Sequence, residues 1–326
     1  MVANYHVKLI LYDGEGNVRR ELEDNGDLAA VYFEETMNDD MFYVLTLENG
    51  LLGRAVLHLD RKNIAKTIVV HNVFLNNSYD LNSDPQRYFK YMCENHEKFD
   101  GIVMLTHDER NDFFKKYGAI RNMFVISHPY PHEIVETDFD KRDHKKAVIV
   151  ARLDPFKQFD FAIEIFAEVV KTLPDIKLEI YGVGPMEEKI KEWIKEHEME
   201  NNVFVMGFTN DAAGVFGSSA LFMMTSSAEG FPLTLVESLC NGCPAIAFDI
   251  KYGPAEIITD NRTGYVIPPY NKDMYVEKLL SFFGDEQIQR TMTENAYENA
   301  PRFSTDVFLD NWFTFTETMY KRCALV

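Results

Sequence analysis

Residues 227–237 read Ser227-Ala228-Glu229-Gly230-Phe231-Pro232-Leu233-Thr234-Leu235-Val236-Glu237. The order is that of a strand end, a tight turn and a helix start. Gly230 lets the backbone come close to a ligand. Pro232 suits the first helical turn, where its missing N–H removes no hydrogen bond. Free N–H groups and the positive end of the helix make an anion site there. Glu229 stands before the turn, and Glu237 lies about two turns in, its side chain leaning back toward the N-terminus. Carboxylates so placed can hold the hydroxyls of a polar ligand at its near and far ends. The spacing alone also fits an ordinary capped helix with two solvated acids.

Upstream, residues 145–157 run Lys145-Lys146-Ala147-Val148-Ile149-Val150-Ala151-Arg152-Leu153-Asp154-Pro155-Phe156-Lys157. An apolar strand feeds a short loop that carries Arg152 and Lys157. Phe161, Ile165 and Val169 then recur at helical spacing. Two cations on a loop after a parallel strand suit a pyrophosphate or a leaving phosphate. A pair of solvated charges at a strand end is the plainer alternative. The next unit, Lys177-Leu178-Glu179-Ile180-Tyr181-Gly182-Val183-Gly184-Pro185, is strand, glycine turn and helix. It lacks the third glycine of a dinucleotide fingerprint, so a nicotinamide-dependent dehydrogenase is set aside. A strand from Val203 to Met206 ends in Gly207-Phe208, and one from Leu221 to Thr225 leads into the two-glutamate turn.

This alternation of strand, polar or glycine turn and helix runs from 145 to about 285 and signals a parallel sheet covered on both faces. Arg152, Gly182, Gly207 and Glu229 all follow strands, the edge where such sheets bind ligands. The charged stretch 136–144 reads as an interdomain linker. The expected organisation is an N-terminal domain over 1–140, a ligand-binding domain over 141–300, and a C-terminal helix over 301–326 that packs back on the N-terminal domain.

Composition bounds the function. With 46% hydrophobic and 26% charged residues, the 326-residue chain is that of a globular protein with one large or two ordinary cores. No apolar run approaches the ~20 residues of a membrane span. Met1-Val2-Ala3-Asn4-Tyr5-His6 lacks the basic head and apolar stretch of a signal peptide. Four cysteines (Cys93, Cys240, Cys243, Cys323) outline no disulfide framework. A cytoplasmic setting is the expectation. The net charge of −19 argues against nucleic acid or an anionic membrane as the main partner.

In order, Arg152-x4-Lys157, Tyr181-Gly182-x-Gly184, Gly207-Phe208 and Glu229-x7-Glu237 resemble glycosyltransferase family 4, over roughly residues 145 to 300. Within it the resemblance is nearest to enzymes that glycosylate wall teichoic acid or serine-rich adhesins. The resemblance implies a retaining enzyme of the GT-B fold: α/β, with two Rossmann-like domains of parallel sheets. It implies transfer of a hexose, glucose or N-acetylglucosamine, from a UDP-sugar to a hydroxyl of a cell-wall polymer, glycoprotein or glycolipid. Arg152 and Lys157 would hold the donor diphosphate, replacing a metal, so no metal and no other cofactor is expected. Glu229 would bind the donor sugar and Glu237 the ribose. Gly182, Gly184, Gly207 and Phe208 would adjoin the nucleotide, and backbone N–H groups near Gly230, Phe231, Leu233 and Thr234 the sugar and phosphates. Homo- or hetero-oligomers are compatible with this reading.

The N-terminal part departs from the family. Val7 to Leu11 alternates toward Asp13-Gly14-Glu15-Gly16, a hairpin signal. Strands are expected from Met41 to Leu45 and from Ala65 to Val70, and a helix from Tyr88 to Glu94. No glycine-rich first strand and turn opens the domain, which reads as incomplete or atypical, by truncation or by evolution. His71 stands where the family places histidines near the donor sugar. The teichoic-acid type has His-x-x-His there, and this chain has His71-Asn72-Val73-Phe74. A capped strand-end histidine is the alternative for His71. A noncatalytic partner subunit that binds sugar or protein is the alternative for the whole chain. Asp138-x-Asp140 and Cys240-Asn241-Gly242-Cys243 resemble metal or redox pairs, but the first lies in the charged linker. The second lacks further ligands, and its Gly242 fits a helix C-cap.

Overall fold

Apolar runs that are buried on both faces become parallel strands, and each ends in a polar or glycine turn. The computed structural model describes residues 9–12, 15, 18–22, 25–48, 53–59 and 61–324. They fall into two compact units. The first takes in the chain to Leu105, Arg110–Ile126 and the residues from Asn311 onward, and the second takes in Thr106–Glu109 and Ser127–Asp310.

The first unit opens with β1 (Leu9–Tyr12) paired antiparallel to β2 (Val18–Leu22). Val7, Lys8 and the turn residues Asp13, Gly14 and Gly16 of the expected hairpin lie outside the described residues. Next come α1 (Asn25–Thr36), β3 (Tyr43–Leu47), α2 (Gly53–Leu57), β4 (Ile64–Val70), α3 (Lys90–Glu94), β5 (Gly101–Met104), α4 (His107–Tyr117) and β6 (Met123–Val125). The strands β3 to β6 form a parallel sheet in chain order. Ile68, Val70, Ile102 and Met104 share a core with Phe74, Phe89, Met92, Phe99 and Phe113. The strand expected from Met41 starts instead at Tyr43, whose N–H bonds Asn63 O at 2.8 Å. Phe315 reaches this unit's sheet, with its ring 4.9 Å from that of Phe124. A Cβ on Gly101 would lie 2.9 Å from the same ring, so only glycine fits under it.

The second unit comprises β7 (Asp143–Val150), α5 (Phe159–Val170), β8 (Lys177–Tyr181), α6 (Glu187–Glu196), β9 (Val203–Gly207), α7 (Ala212–Gly217), β10 (Ser219–Met224), α8 (Leu233–Cys240), β11 (Ala245–Phe248), α9 (Pro254–Ile257), β12 (Gly264–Ile267), α10 (Lys272–Phe283) and α11 (Glu286–Asn299). The helix α12 (Thr305–Cys323) ends the chain's described elements. Six strands form a parallel sheet in the order β12-β11-β10-β7-β8-β9. Helix α5 shows why the sequence folds this way. Phe159, Ala162, Ile163, Ile165, Phe166 and Val169 are buried on one face, and Asp160 points to water.

Two expectations need correction. The stretch 136–144, expected as an interdomain linker, lies wholly within the second unit. Asp143 and His144 begin β7, the Asp138 side chain accepts from Asp140 N, and Arg142 is 4% exposed. Consecutive charges suggest exposure, yet carbonyls and hydroxyls receive both terminal nitrogens of this guanidinium. Pro232 precedes α8 rather than sitting in its first turn. Because α8 starts at Leu233, Glu237 lies little more than one turn in.

Candidate functional site

The strand order of the second sheet reverses between β7 and β10, because the chain proceeds outward through β8 and β9, then returns to build the other side. Such a reversal opens a crevice at the carboxyl edge. The loop after β7 carries Arg152 and Lys157, and the loop after β10 carries Glu229.

Hydrogen bonds tie these loops together. Ser227 N and Oγ donate to Phe156 O at 2.8 and 3.1 Å. Thr225 Oγ1 donates to Lys157 O at 2.9 Å. Glu229 N donates to Lys251 O at 3.3 Å, and Tyr252 N donates to Glu229 O at 2.7 Å, so the loop after β11 braces Glu229 on both sides. On this frame Lys157 Nζ lies 2.6 Å from Glu229 Oε1, with side chains only 16% and 14% exposed. Charges so withdrawn from water interact more strongly than a surface pair.

Beside them, Val150, Ala151, Arg152, Tyr181, Gly182, Val183, Phe208, Thr209 and Thr234 line a cleft of about 200 Å³. Arg152 is largely exposed and pairs with Asp154 at 2.8 Å. Phe208 is 74% exposed at the cleft and offers an open aromatic face. Thr234 brings the first turn of α8 to the same cleft. Four sequence-derived site residues therefore share one cavity: Arg152, Gly182, Phe208 and Thr234.

The glycines have a packing reason. Gly182 has φ 146°, and a Cβ there would sit 1.8 Å from Ala151 O. A Cβ on Gly184 would sit 2.6 Å from Leu153 O. The loops after β7 and β8 run backbone to backbone, with Ala151 N donating to Tyr181 O and Leu153 N to Val183 O, each at 3.0 Å. Gly207 ends β9 at φ 78° and faces open space. Gly230 is half-buried, Leu233 is exposed, and Phe231 is buried with its ring 6.1 Å from that of His128.

Glu237 is half-buried on α8. Burial pushes its carboxyl above the usual range, and His132 nearby opposes the shift. Its backbone O accepts from Asn241 Nδ2 at 2.8 Å. His71 lies in the first unit, after β4, with its Nε2 hydrogen-bonded to the carboxylate of Glu48, which follows β3. Phe74 is fully buried, its ring 5.3 Å from that of Phe113, so that position serves the core.

The paired aspartates and cysteines have structural roles. Asp138 caps a turn and Asp140 pairs with Arg290 at 2.6 Å. Cys240 and Cys243 are buried thiols, each pushed up to about 12 by burial. Gly242, at φ 64°, closes α8, and Cys243 N returns to Ser238 O at 2.8 Å. Among the described residues no group of three or more His, Cys, Asp or Glu is arranged to hold a metal ion, and no helix is long and apolar enough to cross a membrane. Sequence reasoning missed Asp154, Val183 and Thr209, which adjoin the motifs, and Glu48, which nothing marks.

The family model described as glycosyl transferases group 1 matches residues 133–299. The poly(glycerol-phosphate) alpha-glucosyltransferase of Bacillus subtilis is 31% identical over 246 residues, which cover 75% of this chain and 36% of that protein. The poly(ribitol-phosphate) alpha-N-acetylglucosaminyltransferase of Staphylococcus aureus is 28% identical over 295 residues, covering 90% of this chain and 59% of that protein. A mutant of S. aureus TarM, crystallised with fondaparinux, alpha-GlcNAc-glycerol and UDP, superposes with a TM-score of 0.79 at 26% identity, covering 94% of this chain and 66% of that one. The architecture is thus GT-B-like, α/β with two parallel sheets. The chain spans about one to two thirds of the length of these relatives.

Proposed function

Because the chain belongs to the glycosyl transferases group 1 family, we propose that it transfers glucose or N-acetylglucosamine from a UDP-sugar to an acceptor hydroxyl with retention of configuration. The observation that carries this is the Lys157–Glu229 pair at 2.6 Å, set at the strand-order reversal beside the cleft. A donor substrate replaces the pair's mutual contact with two others. Its diphosphate meets Lys157 and Arg152, and its sugar hydroxyls meet Glu229. The bond from the anomeric carbon to the β-phosphate oxygen breaks, and a bond to the acceptor oxygen forms on the same face. The acceptor's proton passes to the departing phosphate, and the products are the glycoside and UDP. Arg152 and Lys157 stabilise the growing negative charge as fixed cations, the work a metal does elsewhere. Glu237 holds the ribose, and Phe208 flanks the base.

The names of the Bacillus and Staphylococcus relatives support glucose or N-acetylglucosamine as the sugar and a polyol-phosphate polymer as one acceptor class. The UDP in the TarM crystals supports the nucleotide. In this reading the protein is a family 4 enzyme of the cytoplasm. A panel of nucleotide sugars, assayed for UDP release with and without acceptors and for the anomer formed, tests it. Turnover of a UDP-sugar with retention supports it. Inversion removes the retaining assignment, and binding without turnover favours the second reading, a noncatalytic partner subunit. Phe74 favours that second reading, since this buried ring offers no polar group at the position.

A further inference from the structure

We propose that Arg142 is a positioning residue for Glu237, acting through the C-terminal end of α8. The inference rests on the reading of Glu237 as the ribose ligand. Arg142 is almost fully buried, and its two terminal nitrogens donate to carbonyls and hydroxyls, while its Nε has no hydrogen-bond partner among the described residues. Its Nη1 donates to Phe216 O and Ser219 O, both at 3.1 Å. Its Nη2 donates to Thr137 Oγ1 at 2.6 Å, to Asn241 O at 2.7 Å and to Tyr297 OH at 3.0 Å. Phe216 lies in the last turn of α7 and Asn241 caps the end of α8, so two of these carbonyls are negative helix ends, where a cation is favoured. Ser219 begins β10, whose far end leads to Glu229.

One rigid fork of donors therefore fastens two helix ends to the strand that feeds the site. Asn241 carries the link onward. Its backbone O takes the Arg142 bond, and its Nδ2 donates to Glu237 O at 2.8 Å and to Tyr130 OH at 3.0 Å. The carbonyl of Glu237 is held from the far side of α8, while its side chain leans toward the helix start. Lysine at 142 keeps the charge but supplies three donors from a single point, so it cannot reach carbonyls of three different elements.

The test compares UDP with dideoxy-UDP, which lacks both ribose hydroxyls. Calorimetric affinities are measured for the parent, Glu237→Ala, Arg142→Lys and the milder Tyr297→Phe, each at a temperature where circular dichroism shows it folded. The parent should prefer UDP by about tenfold or more, the worth of hydrogen bonds to a charged group. Glu237→Ala should abolish the preference, Arg142→Lys most of it and Tyr297→Phe part of it, with dideoxy-UDP affinity little changed. A merely structural role predicts equal weakening for both nucleotides, and that result overturns the proposal. So does an intact preference in Arg142→Lys and Tyr297→Phe when Glu237→Ala has lost it. An intact preference in Glu237→Ala instead removes the ribose reading, and this proposal falls with it.

Discussion

Lys157 Nζ and Glu229 Oε1 meet at 2.6 Å, joining the loop after β7 to the loop after β10 where the sheet's strand order reverses. The two loops are also laced through Ser227 and Thr225, and Tyr252 of the loop after β11 holds the Glu229 carbonyl. The pair is at once a structural clasp and two halves of a donor site.

Breaking the clasp from one side should therefore be worse than removing it whole. Lys157→Met leaves a largely buried carboxylate without its cation, which costs on the order of 3 kcal/mol. Adding Glu229→Gln should recover part of that loss while leaving the site inactive. Urea unfolding of both single variants and the double variant checks this. Additive losses, with no coupling between the two sites, would show that the pair does not form in solution.

Two glycines beside the cleft should respond differently to a methyl group. Gly207→Ala meets open space and bears only the strain of φ 78°, roughly 1–2 kcal/mol. Gly182→Ala drives Cβ against Ala151 O and must push apart the loops after β7 and β8. It should lower the melting temperature several times more than Gly207→Ala and weaken UDP binding. Similar melting temperatures for the two variants would refute the close backbone approach.

Glu237 gives a pH signature. Burial raises its native pKa, so the folded state holds this proton more tightly than the unfolded chain does. That contribution to stability is complete below the ordinary value of 4.5 and is lost as pH rises through the native value. At neutral pH Glu237→Gln should thus be more stable than the parent, and the difference should vanish in acid. Its UDP affinity should fall, a trade of binding for stability. Melting temperatures of both proteins across pH decide the matter, and a gap that persists in acid would contradict the assignment.

Much of the second unit was legible because each motif sits where a parallel strand ends. The apolar run Ala147–Val150 and the cations after it announce β7 and its loop, and Gly182 and Gly207 mark the turns after β8 and β9. The acids of the two-glutamate turn were legible as a pair, but the cation that Glu229 meets was not. That Lys157 meets Glu229 depends on the order β7-β10, which local sequence does not encode. Nothing local marks Arg142, for a similar reason. Between Lys141 and Asp143 it looks like one more solvated charge, and only the ends of α7 and α8, brought from residues far along the chain, make it a buried hub. Phe74 looked like a lost histidine, and its place in the core shows a ring packed against Phe113.

The central claim is that fixed cations at the reversal point grip the diphosphate of a nucleotide sugar. A ligand that binds only the folded protein stabilises it by mass action. Melting temperatures of the parent and Arg152→Ala, with and without saturating UDP, test this most directly. A rise of several degrees in the parent that is mostly lost in Arg152→Ala is the predicted result. An equal rise in both proteins would contradict it.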